Sequence, residues 1–284
     1  MSTRLFDKGR EGFADGSIDW DTNTIKSQLT AATADVGIKT VSGATNASPI
    51  VLTVTAHGWA NGDIIVVSKV GGNTSANGTW QVANQATNTV ELRTVKDNLA
   101  SVGNGSYTSG GVAVNLTTSD NRDDINAGAV GTDQTLGSKT VTNGVLDAAD
   151  VSYTALSGSE VIGLAIYKDT GSAATDRLAV WIDGKTQVIV AADAASSATT
   201  LWVEKLEGPI ASGVAMIFSN GITATTTSTA AAGARSIAVS AISGAIAAGH
   251  TADVATTSAG IPFTPSGGDV TFQFDNGPDK IVRL

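Results

Sequence analysis

The sequence predicts a mainly β protein: a discontinuous antiparallel β base domain that carries two small inserted β modules. Three observations lead there. Short runs rich in valine, isoleucine and aromatics recur along the chain, Asn-Gly and Gly-Gly turns separate them, and helix signals are few. The strand runs are Ile50–Val54, Asp63–Val67, Thr79–Val82, Val161–Tyr167, Leu178–Ile182 and Val270–Phe274. In the last of these, polar residues alternate with Val270, Phe272 and Phe274, which puts those three side chains on one face of a half-buried strand.

The turn signals are Asn61-Gly62, Gly71-Gly72-Asn73, Asn77-Gly78, Asn143-Gly144 and Asn276-Gly277. Asn-Gly supplies the positive φ angles of tight hairpins. The C-terminus accordingly reads as a hairpin, Asp269–Phe274 returning as Lys280–Leu284. Phe6 to Phe13 has the makings of a turn or two of helix, weakened by Gly9 and Gly12, and Asp147–Asp150 of a single turn.

Composition divides the chain further. Residues 41–114 form a Gly/Asn/Thr-rich block containing Trp59 and Trp80, expected to be a β-barrel-like module. Residues 185–258 are alanine-rich and repeat internally. The stretch Ala195–Gly213 aligns with Ala231–Gly249 without a gap, matching Ala198/Ala234, Val203/Val239, Gly208/Gly244, Ile210/Ile246, Ala211/Ala247 and Gly213/Gly249. Two copies are too few for a solenoid, so a compact module with pseudo-twofold symmetry is expected. Residues 1–40, 115–184 and 259–284 then make up the base, with Asp183-Gly184 and Ser258-Ala259-Gly260 as hinges. Insertion of this kind is tolerated where the host loop ends lie close together at the surface.

Charge excludes two classes of partner. Lys and Arg number 17 against 26 Asp and Glu, so the formal net charge is 17 − 26 = −9. No basic block is present to neutralise phosphates or hold an anionic membrane, so neither nucleic acid nor membrane is expected as a partner. No stretch has the length and apolarity of a membrane span. Met1–Lys8 runs straight into charge with no apolar core of a signal peptide, so synthesis in a cytoplasm is expected. The absence of cysteine removes disulfides, thiolate nucleophiles and Cys-ligated metals together.

Catalytic and metal patterns fail one by one. His57 and His250 each stand beside glycine without a second ligand nearby in sequence. Asp19-Trp-Asp21-Thr-Asn23 begins like an EF-hand loop, but Thr24 and Thr30 occupy the positions that need glycine and glutamate. Asp120-Asn-Arg-Asp-Asp124 reads as a hydrated loop. In Gly131–Thr140, Ser138 separates glycine from lysine and strand and turn follow, so no helix N-terminus exists to hold a phosphate. No Gly-x-Ser-x-Gly elbow occurs. The expectation is a protein that is not an enzyme, with no catalytic residues, cofactor or metal.

The base segments resemble a family of tailed-bacteriophage virion structural proteins. The stretches that carry the resemblance are Phe6-Asp-Lys-Gly-Arg-Glu-Gly-Phe13 with Asp15-Gly-Ser-Ile-Asp-Trp-Asp21, Lys139–Asp150, Ala165–Gly171, Thr264–Asp269 and the C-terminal Phe274-Asp-Asn-Gly. They cover less than half the chain. The first insert is similar to the small FCCH-like β modules of phage structural proteins, through Thr55-Ala-His-Gly58, Asn61-Gly-Asp63 and Gly71–Trp80. The second resembles Ala/Gly-rich repeats of phage head proteins.

The resemblance implies a virion location and brings no catalytic residues. Among virion roles, a small acidic protein of several β modules suits a capsid decoration or cement protein, which docks on the outer shell and stabilises contacts between capsomers. Partners would then be the major capsid protein and further copies of itself, with a homotrimer favoured by attachment at threefold points. The alternative is a tail, neck or baseplate component. Adhesion to host-surface glycans through the tryptophans of the inserts, Trp59, Trp80 and Trp202, is compatible with either, while core anchoring is the favoured role for all five tryptophans. Interface contacts are expected from Arg4, Phe6, Arg10 and Phe13, since exposed aromatics beside arginine suit interface anchors; cover for the base core is the competing role for Phe6 and Phe13.

Overall fold

The computed structural model describes residues 3–255, 261–274 and 280–284. It is mainly β, built of antiparallel sheets, with one α-helix among the described residues. The chain divides into two compact units. One comprises Met1–Ile38, Leu116–Gly184 and Ser258–Leu284; the other comprises Lys39–Asn115 and Lys185–Thr257. The two inserted stretches, expected as separate modules, therefore share one unit.

The first unit is organised on a five-stranded sheet in the order Thr3–Leu5, Arg177–Ile182, Val161–Lys168, Ile25–Ala31, Ala129–Thr135. Alternation sends Ile25, Leu29, Leu164, Ile166, Val180 and Ile182 to one face. There they meet Leu146, Val151, Tyr153, Phe272 and Val282 from two smaller sheets in a single apolar cluster. The Tyr153 hydroxyl crosses this core to donate to Ser27 Oγ at 2.8 Å, so the buried phenol keeps a partner. Its ionisation is pushed well above the ordinary tyrosine range by burial.

The smaller sheets revise the expected C-terminal hairpin. Val270–Phe272 pairs with Val151–Tyr153, and Val282–Arg283 pairs with Val145–Asp147. Each short strand gains more by completing an existing edge than by pairing locally. Phe272 and Phe274 are buried and Val270 packs against the same core, as alternation predicted. The Asn276-Gly277 turn and the 258–260 hinge lie outside the described residues. Asn143 (φ 52°) and Gly144 (φ 75°) do form the tight turn between Thr140–Thr142 and Val145–Asp147. The single helical turn expected at Asp147–Asp150 is absent, because Asp147 ends a strand and Asp150 uses its carboxylate to accept from Phe274 N at 3.0 Å.

In the second unit, residues 38–115 roll a seven-stranded sheet into a closed ring. The order is Ile38–Thr40, Val112–Asn115, Ile64–Ser68, Gly78–Ala86, Thr89–Arg93, Val51–Thr53, Gly43–Ala44. First and last strands are consecutive in the chain. Val41 N donates to Gly111 O and Ser42 N to Thr53 O, each at 2.9 Å, so the continuous stretch from Ile38 to Ala44 bonds to one neighbour with its first half and to the opposite neighbour with its second, which closes the ring. Ile50, Leu52, Ile65, Val67, Trp80 and Leu92 fill the interior.

Residues 185–255 pair with a relation of order two. Leu201 lies opposite Ile237, and these positions are mates in the repeat (237 − 201 = 36). The bridge Val190 to Val203 recurs as Thr226 to Val239, and Ala194 to Ile246 recurs as Ala230 to Ile210, each shifted by the same 36 positions (226 − 190 = 36). Ile189 opposite Thr251 is matched by Thr225 opposite Ala215. The apolar mates converge on one core, including Leu201, Val203, Leu206, Ile237, Val239 and Ile242. This core joins the ring through Val102 N, which donates to Ser219 O at 2.6 Å, through Thr79 Oγ1 to Asp253 Oδ2 at 3.3 Å, and through the Lys96–Glu204 ion pair.

Candidate functional site

The N-terminal segment holds all four residues singled out as interface anchors. Thr3–Leu5 pairs with Arg177–Ile182, which sets Arg4 opposite Trp181. Arg4 is only 9 % exposed, and its Nη1 stands 2.9 Å from Asp183 Oδ1. Phe6 is fully buried, edge-on to Trp181 with ring centroids 6.4 Å apart. Arg4 and Phe6 are therefore interior groups and not exposed anchors. A strand more than 170 positions away in sequence (177 − 5 = 172) covers them. Asp183, expected at a solvent hinge, is likewise buried.

The helix Asp7–Asp15 follows Phe6 and ends at Gly16, whose φ of 75° is the left-handed C-terminal signature. It survives two internal glycines because one of them is required. A Cβ on Gly9 would fall 2.3 Å from the carbonyl oxygen of Ala179, so only glycine lets the helix sit this close to the sheet. Phe13 is half-buried against the core, tilted on Trp20 at 6.4 Å. Of the four residues only Arg10 is well exposed, where it pairs with Asp7. Lys8 and Glu11 form a second pair at 2.8 Å, and this bond raises the lysine's proton affinity.

Behind Trp181 the sheet carries an unusual row. Gln28, Ala165, Trp181 and Arg4 are successive cross-strand neighbours and so share a face. Gln28 is 1 % exposed, and neither atom of its side-chain amide has a hydrogen-bond partner among the described residues; the same holds for Thr30 Oγ1 and Trp181 Nε1. Sequence gave no sign of this, since the row exists only once distant strands pair.

A second polar cluster is fully satisfied. Arg122 donates to Asp176 (2.9 Å) and Asp133 (3.0 Å) and lies 5.2 Å over the Tyr167 ring. Tyr167 donates to Asp133 at 2.7 Å, and burial first, then the Asp133 carboxylate, drive its phenol far above the ordinary range. Asp133 stands where the register of the edge strand Ala129–Thr135 shifts. A bulge and an inward-held charge both blunt an edge against further pairing. Two positions before Arg122 in the chain, burial raises Asp120 above the usual carboxylate range.

The histidines are committed to structure-forming bonds. His57 is buried, accepting from Trp59 N at 2.9 Å through Nδ1, with Nε2 at 2.7 Å from Ala86 O. His250 Nδ1 lies 2.8 Å from Ser219 Oγ, and Ser219 Oγ also accepts from Thr251 N at 3.1 Å. That serine is 2 % exposed, so a substrate carbonyl has no path to it. Asp19 accepts from the backbone of Asp21 and Thr22 in a closed turn, and the Thr22 bonds hold its carboxyl below the usual range. No cluster of three metal-ligating side chains occurs among the described residues.

The tryptophans separate sharply. Trp20, Trp59, Trp80 and Trp181 are all at most 4 % exposed, whereas Trp202 is 59 % exposed. Trp59 and Trp80 belong to the core of the ring, so a glycan platform built on them would have no accessible face. Comparison with known protein families and with curated proteins finds no match to this chain.

Proposed function

We propose that this protein is a structural component of a tailed-bacteriophage particle, a decoration or cement protein that binds the outer head shell and stabilises contacts between capsomers. The observation that carries the reading is the grouping of the phage-like stretches. Residues 6–21, 139–150, 165–171 and 264–269 are scattered along the chain, yet all fall in one compact unit. A resemblance that collects into one folded unit describes a domain. The small, mainly β units suit a protein that gains burial from assembly, and attachment at threefold points would make it a trimer.

Copy number per purified particle, measured by quantitative mass spectrometry against the major capsid protein, tests this reading. Placement on the shell lattice requires a ratio between about one-third and one, as set by lattice symmetry. A ratio of a few per cent would overturn it in favour of the neck, tail or baseplate.

A further inference from the structure

The internal repeat of residues 185–255 allows each exposed side chain to be compared with a mate in nearly the same backbone setting. Around Leu201 and Ile237, which are fully buried, the opposite face of the sheet carries three mate pairs: Ala191 and Thr227, Thr200 and Ser236, Trp202 and Ala238 (each differs by 36, as 238 − 202). All six are exposed. Trp202 lies opposite Ser236, and Ala238 opposite Thr200. Ala191 N donates to Trp202 O, and Thr227 N to Ala238 O, both at 2.9 Å. The backbone geometry is thus duplicated, and where one copy places an indole the other places a methyl group.

Folding does not call for that indole. The same position in the second copy is satisfied by alanine, and more than half of Trp202 is left in water, a cost for a residue of this size. The neighbours specify what would cover it. None of the six is charged, and three carry hydroxyls that make no hydrogen bond among the described residues. Glu204, two positions on, is neutralised by Lys96. A protein partner would require a broad apolar centre, and an anionic membrane a basic cluster; this face has neither. A sugar ring presents apolar C–H bonds to an aromatic face and neutral hydroxyls at its rim, which matches an indole with Ser236 opposite it and Thr200 two positions before it on the same face.

We propose that the sheet face centred on Trp202 binds neutral carbohydrate, by stacking of a pyranose ring on the indole and hydrogen bonds to Thr200 and Ser236. The site is independent of the virion reading, because it rests on the repeat and not on the base unit.

The test uses the full chain and a panel of neutral hexose and N-acetylhexosamine oligosaccharides, with binding followed by tryptophan emission and by retention on the immobilised sugars. Because the other tryptophans are at most 4 % exposed, a blue shift on binding reports Trp202. Trp202→Ala should bind at least about tenfold more weakly, and Trp202→Phe should retain part of the affinity. Unchanged circular dichroism separates this from misfolding, which the alanine at position 238 already argues against. No binding to any sugar of the panel, or binding that Trp202→Ala leaves intact, overturns the proposal. So does a change of oligomeric state or loss of anionic-vesicle binding in Trp202→Ala without any sugar effect, which would assign the face to a second copy or to a lipid surface.

Discussion

Leu201 and Ile237 face each other across the axis of the internal repeat, both fully buried, and each is the other's counterpart 36 positions away (237 − 201). A residue and its own mate thus form one cross-strand pair. Truncating either to alanine removes similar apolar surface from the same place. Each single variant should lose about 2–5 kcal/mol, and the two losses should agree more closely than those of unrelated core sites. The double variant should fall short of their sum, because the second truncation enters a cavity already opened. Denaturant titration of the four-member cycle measures all three.

Arg4 and Asp183 form an ion pair in which both side chains are under 10 % exposed. Removing the guanidinium in Arg4→Ala leaves a buried carboxylate to be accommodated, at a cost of about 3 kcal/mol. Asp183→Asn also leaves the guanidinium without its countercharge, but should cost less because the amide oxygen can still accept from Arg4. Equal losses, or none, in urea unfolding would show that the pair is solvated in solution.

Gln28 leads to a prediction in the stabilising direction. Its amide is buried beside Ala165 and makes no hydrogen bond among the described residues, whereas a thioether of similar length has nothing to leave unpaired. Gln28→Met should raise stability by about 1–2 kcal/mol. A lower denaturation midpoint would mean that the amide has a bound partner in solution.

His250 ties the second unit to pH. Burial holds its pKa below the ordinary histidine value, so the unfolded chain binds the proton more tightly. Stability from this group is complete above about pH 6.5 and is lost as pH falls through the lower folded value. His250→Asn, which can still bond to Ser219, should flatten the stability profile between about pH 7 and pH 5. Carboxylates such as Asp169, held low chiefly by Lys26, add their loss only at more acidic pH.

How much of this could be read from residues alone depends on the range of the interaction. The runs at 64–68, 161–168 and 177–182 are strands because β-branched and apolar residues dictate them locally. The repeat was legible because its mates align without a gap. Partners of three-residue strands were not legible, since Val151–Tyr153 and Val270–Phe272 meet across more than a hundred residues with no local signal. Burial of Arg4 and Phe6 was hidden for the same reason. Trp202 read from composition as one more core anchor; its outward face follows from the strand pairing beside Leu201, and its alanine mate in the repeat is the signal that could have marked it.

The joining of the two inserted stretches has a consequence in time. Val102 bonds to Ser219, a residue that leaves the ribosome 117 positions later (219 − 102). The ring of residues 38–115 is complete only with Asn115, 104 positions before Ser219 (219 − 115 = 104), so at about 5–20 residues per second it waits roughly 5–21 s for the surface it will dock on. Through that interval it must hold together as a lone barrel, and its closed edge is what makes such waiting safe.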